Sequence, residues 1–128
     1  EKMQYANPIL IKLSPDEDEK IISVILSAIQ KFDFDGVITS NTTIKKDDLK
    51  QSSGKNLIGG LSGKPLFTKS NDLLKIAHSH DPRLFKIGVG GVDNKESFNS
   101  KLELGASLVQ IYTSFIYQGP QIVKKLLG

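Results

Sequence analysis

Cysteine is absent from this 128-residue chain, and histidine occurs only twice, at His78 and His80. Without a thiol the chain can form no disulfide, hold no Fe–S cluster or thiolate-bound metal, and use no cysteine nucleophile. Two histidines two positions apart do not share a helix face and leave little material for a zinc centre, so both read as surface residues. Long hydrophobic runs are missing too: nothing approaches the roughly 20 apolar residues of a spanning helix. The opening Glu1-Lys2-Met3-Gln4-Tyr5 lacks the apolar stretch of a secretion signal, and this segment is expected to be soluble. Charge of one sign is scarce: 17 Lys and Arg stand against 14 Asp and Glu, a net +3 spread along the chain. That balance gives no concentrated basic footprint, and no nucleic-acid partner is expected.

What remains is an ordinary folded composition, 38% hydrophobic and 24% charged. It is too apolar for disorder. The length allows one domain at most, or part of a larger one.

The first periodic signal, Pro8-Ile9-Leu10-Ile11-Lys12-Leu13, is a short and nearly continuous apolar run. Strands buried on both faces of a parallel sheet read this way. Ser14-Pro15-Asp16-Glu17 suits a helix start, with Ser14 as cap, Pro15 in the first turn and Glu17 completing a capping box. Ile21, Ile22, Ile25, Leu26, Ile29 and Phe32 follow at helical spacing, which predicts a helix over 16–31. Residues 36–41 form a second buried strand. A long polar stretch over 42–68 carries Gly54, Gly59, Gly60 and Gly63, and loops of that length in compact domains are usually functional. A helix is expected over 70–79, broken by Asp81-Pro82. A third strand over 85–91 ends in glycines, and Asp93, with Glu96 three residues on, suits the cap of the next helix. A fourth strand covers 106–112, a short extra helix 113–117, and a terminal helix follows Gly119-Pro120.

Repeated βα units imply a parallel sheet with right-handed crossovers. Four of them make half of a (β/α)8 barrel, and the fold class is read as α/β, the C-terminal half of such a barrel, over 1–128. A doubly wound sheet of flavodoxin type has the same element order and is the alternative.

In β/α barrels ligands meet the C-terminal ends of the strands. Lys12 ends the first apolar strand, either desolvated and facing a ligand or snorkelling to water at a sheet edge. Ser40-Asn41-Thr42-Thr43 follows Val37-Ile38 abruptly. It can offer amides and hydroxyls to a polar planar ligand, or fold into a simple turn. Gly59-Gly60-Leu61-Ser62-Gly63 and Gly88-Val89-Gly90-Gly91 allow backbone N–H groups to approach a phosphate, although the dinucleotide spacing is absent. Tyr112-Thr113-Ser114 precedes the short extra helix, where barrels often bind phosphate.

Taken in order, Pro8–Asp16, Asp35-Gly36-Val37-Ile38-Thr39-Ser40-Asn41-Thr42-Thr43, Gly59–Leu66, Ile87–Val92 and Gly105–Thr113 resemble dihydroorotate dehydrogenase. The Asn-Thr-Thr and Gly-Gly-Leu-Ser-Gly blocks are similar to its class 2, quinone-dependent branch. The resemblance implies an FMN-containing barrel that oxidises dihydroorotate to orotate in pyrimidine synthesis and passes electrons to a quinone. It implies that Lys12 lies by the flavin ring, that Ser40 lines the flavin through its backbone, and that Gly63, Gly91, Tyr112 and Thr113 hold the FMN phosphate. Asn41 and Thr42 are implied to hydrogen-bond the orotate ring. Ser40 stands where the family usually has Thr, and Thr113 where it often has Ser. The family's catalytic serine belongs to the N-terminal half of the barrel, and no serine here matches its motif. That half, the partner of this one, also supplies the quinone and membrane contacts. The parent enzyme is implied to be peripheral on a membrane, on the cytoplasmic side of the inner membrane if bacterial. This chain alone is expected to be inactive. Alternatives are a non-catalytic FMN- or phosphate-binding half-barrel, or a half-barrel that pairs with itself across its open edges.

Overall fold

A computed structural model describes residues 7–46, 49 and 58–128. Four strands, β1 (Leu10–Leu13), β2 (Gly36–Thr39), β3 (Phe85–Val89) and β4 (Leu108–Gln110), pair in chain order. Every pairing is parallel. The helices are α1 (Glu19–Lys31), α2 (Phe67–His80) after a 3-10 turn at Lys64–Leu66, α3 (Lys95–Glu103), α4 (Thr113–Gln118) and α5 (Gln121–Leu127). A doubly wound sheet reverses its strand order at a switch point. No reversal occurs here, which removes the flavodoxin-type alternative and leaves consecutive barrel units.

The register sorts the strand side chains into two files. Ile11, Leu13, Val37 and Thr39 lie on one face with Lys86, Gly88 and Val109. On this face Leu13 and Val37 pack with Ile22, Leu26 and Ile29 of α1 and Leu73 and Ala77 of α2, and Val109 packs with Ile122 and Leu126 of α5. The opposite file holds Leu10, Lys12, Ile38, Phe85, Ile87, Leu108 and Gln110. It is uncovered enough that Phe85 is 40% and Leu108 55% exposed. Parallel sheets normally bury both faces; these strands have the composition for that, and the described helices cover only one face.

Several boundaries differ from expectation. Asp18, not Ser14, caps α1, its carboxylate accepting the Lys20 N–H at 2.8 Å. Ser14 instead accepts the Asp16 N–H in a turn. Asn94, not Asp93, caps α3 in a reciprocal arrangement with Ser97. Helix α2 begins at Phe67, three residues early, because the 3-10 turn feeds it directly. His78 is not a surface residue: it packs against Gly105, and its Nδ1 is buried. Lys12 is exposed rather than desolvated, since it stands on the uncovered face of edge strand β1. Gly54 lies outside the described residues.

Candidate functional site

The C-terminal ends of all four strands open into one cleft of about 470 Å³. Lys12, Ser40, Asn41, Thr42, Gly63, Gly91, Tyr112 and Thr113 all line it. Eight positions singled out from separate sequence blocks are thus brought together.

Backbone hydrogen bonds fix this geometry. Beyond β2 the Asn41 N–H donates to Leu13 O at 2.8 Å, and the Ser40 N–H to Val89 O at 3.0 Å. The second strand end is thereby tied to both its neighbours. Ser40 is buried and its hydroxyl donates to the Asn41 carbonyl, so its side chain serves the turn. Thr43 and Leu61 form a two-residue antiparallel bridge, which folds the glycine loop back over the second strand end. Gly60 then lies so close to Thr42 that a side chain there would overlap the threonine hydroxyl. At its other end the loop reaches the fourth strand, where the Thr113 hydroxyl donates to Ser62 Oγ at 2.9 Å.

One end of the cleft gathers glycines and polar groups from three loops. Gly63 and Gly91 have φ of 76° and 74°, values that favour glycine. The first-turn N–H groups of α4 have no acceptor within their own helix. Ser114 Oγ, also on the cleft, is buried and has no partner among the described residues. The glycine at 91 is demanded by more than a ligand: a Cβ would fall 2.6 Å from Phe67 Cα. At Gly63 the obstruction is only Thr113 Cγ2, at 3.0 Å.

The other end carries Lys12, Asn41 and Thr42, all exposed to the cleft side of the sheet. Leu66, Val89, Val92 and Ile111 supply apolar wall between the two ends. The cleft thus combines an apolar wall with polar groups at both ends, a combination typical of small-molecule sites.

Ser62 and Ser114 line the cleft within the two loops already singled out, while sequence reasoning missed Lys64, Asp93, Gln110, Tyr117 and Gln118, which also line it. Gln110 had a usable signal, a polar residue near the end of an apolar strand, as with Lys12. Asp93 had none. It ion-pairs with Lys64 at 3.7 Å, and its carbonyl accepts from Gln118 Nε2 at 2.9 Å, both contacts remote in sequence. Among the described residues no cluster of three or more His, Asp or Glu could hold a metal.

A family model described as dihydroorotate dehydrogenase matches residues 1–128. A protein from Idiomarina loihiensis named dihydroorotate dehydrogenase (quinone) is 43% identical over 122 residues, 94% of this chain and 36% of the relative. One of the same name from Christiangramia forsetii is 42% identical over 127 residues, 98% of this chain and 37% of the relative. A crystal structure of DHODH in complex with ferulenol from Eimeria tenella superposes with a TM-score of 0.86 at 30% identity, over 91% of this chain and 31% of that one. The chain spans little more than a third of the length of the curated relatives it matches.

Proposed function

The chain belongs to the dihydroorotate dehydrogenase family, and on that footing we propose that it forms strands five to eight of an FMN-dependent β/α barrel that oxidises dihydroorotate to orotate with a quinone as acceptor. The observation that carries this reading is the convergence of Lys12, Asn41, Thr42, Gly63, Gly91 and Thr113 on one cleft at the strand ends. Ligands meet β/α barrels at that face.

Dihydroorotate gives up two electrons and two protons as its ring gains a double bond, and the quinone takes up the same number to become a quinol. FMN, when bound, supplies the two-electron acceptor between them. The residues present fit that group: positive-φ glycines and the buried Ser114 hydroxyl, unpartnered among the described residues, suit its phosphate, and the apolar wall suits its ring. Gly63, Gly91, Tyr112 and Thr113 hold the phosphate, while Ser40 lines the ring through its backbone. Asn41 and Thr42 orient the substrate ring through amide and hydroxyl. Lys12, at the opposite end of the cleft from Gly91 and Thr113, would offset negative charge on the group held there. The serine that removes a substrate proton belongs to the N-terminal half of the barrel. That half also carries the quinone and membrane contacts of a peripheral membrane enzyme, and without it this chain is inactive. No described helix is long and apolar enough to cross a membrane.

The test uses the complete protein that contains this chain. It should be purified with a visible flavin spectrum and reduce a quinone only when dihydroorotate is supplied. Asn41→Ala should raise the KM for dihydroorotate about tenfold or more, the loss of one or two hydrogen bonds to a ligand. A flavin-free protein, or turnover indifferent to Asn41, contradicts the assignment.

A further inference from the structure

Lys101 of α3 is wholly enclosed, yet it forms no ion pair among the described residues. Its Nζ donates to the Ser70 hydroxyl of α2 and lies 5.5 Å from the centre of the Phe67 ring. Its stem fills the space over Gly88 of β3, where a Cβ would come within 3.1 Å of Lys101 Cδ. An ammonium group only donates, so the Ser70 hydrogen must turn to another acceptor. The two in reach are Phe67 O at 3.0 Å and Gly90 O at 3.1 Å. Gly90 adjoins Gly91, both line the cleft, and Gly91 packs directly on Phe67. A relay therefore runs from a buried cation, through one hydroxyl, to the glycine turn at the anion end of the cleft.

Enclosing a lysine without a carboxylate is costly. Burial alone pulls its pKa down to about 8. The ammonium faces Phe67 and Ser70 of α2, and the stem lies against Gly88 of β3 beside Ala106; none of these titrates. His78 shares the α2–α3 seam but packs on Gly105, and Lys69 of α2 reaches instead to Thr43.

We propose that Lys101 is a positioning residue for anion binding, which through Ser70 fixes the Gly90–Gly91 turn and sets a positive charge behind it, so that the cleft prefers a phosphorylated ligand to its unphosphorylated form. This rests on the assignment of that end of the cleft to the FMN phosphate.

The test compares dissociation constants of FMN and riboflavin for the apo form of the complete protein, by flavin fluorescence, between about pH 7.5 and 9.5, where the phosphate is already a dianion. The wild-type preference for FMN should fall as pH rises through about 8, because Lys101 loses its proton there. Lys101→Met should cut the preference about tenfold at the lower pH. It should also make the preference independent of pH and lower riboflavin affinity far less than FMN affinity. Its urea midpoint should equal or exceed that of wild type, since a buried unpaired charge is gone. Ser70→Ala should weaken the preference and keep its pH dependence. A purely structural lysine would lower both affinities and the midpoint together, which would overturn the proposal. So would a wild-type preference flat in pH, a result that needs no variant to fold. If wild type binds FMN no better than riboflavin, the phosphate assignment itself fails and this proposal with it. A clear but flat preference removes only Lys101.

Discussion

The carboxylate of Asp16 reaches from the loop after β1 to Thr43 beyond β2 and accepts the threonine hydroxyl at 2.5 Å. It also takes the Ile44 N–H at 2.7 Å, while Lys69 Nζ donates to the same threonine oxygen at 3.3 Å. Thr43 is in turn the bridge partner of Leu61. Asn41 and Thr42 are thereby held between two anchored points, the Leu13 carbonyl on one side and Thr43 on the other.

Asp16→Ala should therefore weaken orotate binding more than FMN binding and cost about 1–2 kcal/mol of stability, the worth of a charge-assisted hydrogen bond or two. Burial pushes this carboxyl upward, but the Thr43 and Ile44 hydrogen bonds and the charges of Lys69 and Lys45 outweigh it, and its pKa lies below 3.8. A carboxylate depressed on folding adds stability that is complete above the unfolded value and fades as pH falls through the folded one. Urea unfolding in steps below about pH 4 should show that fading in wild type and not in the variant.

Lys86 is the second fully buried lysine, at the opposite end of the sheet from the cleft. Its ammonium donates to the carbonyls of Asp81, Pro82 and Leu84 and so closes the turn between α2 and β3. Lys86→Met strands those acceptors and should lower stability by about 1–3 kcal/mol. Chemical denaturation reads the loss, and orotate and FMN affinities in the same samples should match wild type.

The order of strands and helices was legible because apolar runs of strand length and helical periodicity are both local signals. Lys12, Ser40, Asn41 and Thr42 were legible because polar residues interrupt an apolar pattern just where a strand ends. The two buried lysines were not. Lysine reads as surface, and the partner that encloses Lys101 stands 31 residues away. The cap of α1 was misplaced for a related reason. Ser14 has the right local chemistry, but Asp16, two residues on, is committed to the contact with Thr43, and the helix begins after that contact is made. Gly91 was read as leaving room for a ligand, whereas the nearest obstruction to a side chain is Phe67.

That distinction sets a prediction for the two glycines. Gly91→Ala drives a Cβ into α2 at a positive φ and should cost well over about 2 kcal/mol, with FMN lost as a consequence of misfolding. Gly63→Ala meets only the Thr113 methyl, but at φ 76° and ψ −154° it places alanine in a backbone region that is essentially glycine's alone, and should cost about 1–3 kcal/mol. Thermal unfolding beside flavin content separates the two: Gly63→Ala should lose FMN affinity in a protein that remains folded.

The uncovered file of Leu10, Ile38, Phe85, Ile87 and Leu108 forms one apolar surface across all four strands. Contiguous patches beyond a few hundred Å² are unusual on stable monomers. The 128 residues expressed alone should self-associate at micromolar concentration, and sedimentation velocity will show it. Co-expression with the N-terminal half of the barrel should restore a single species.

The most direct test is anaerobic addition of dihydroorotate to the complete protein, followed by stopped-flow absorbance in the visible flavin bands. The account predicts rapid bleaching in wild type. Lys12→Ala should bleach at least about 100-fold more slowly, a few kcal/mol of lost charge stabilisation. Flavin bands that dihydroorotate leaves untouched, or bleaching at the wild-type rate in Lys12→Ala, would contradict it.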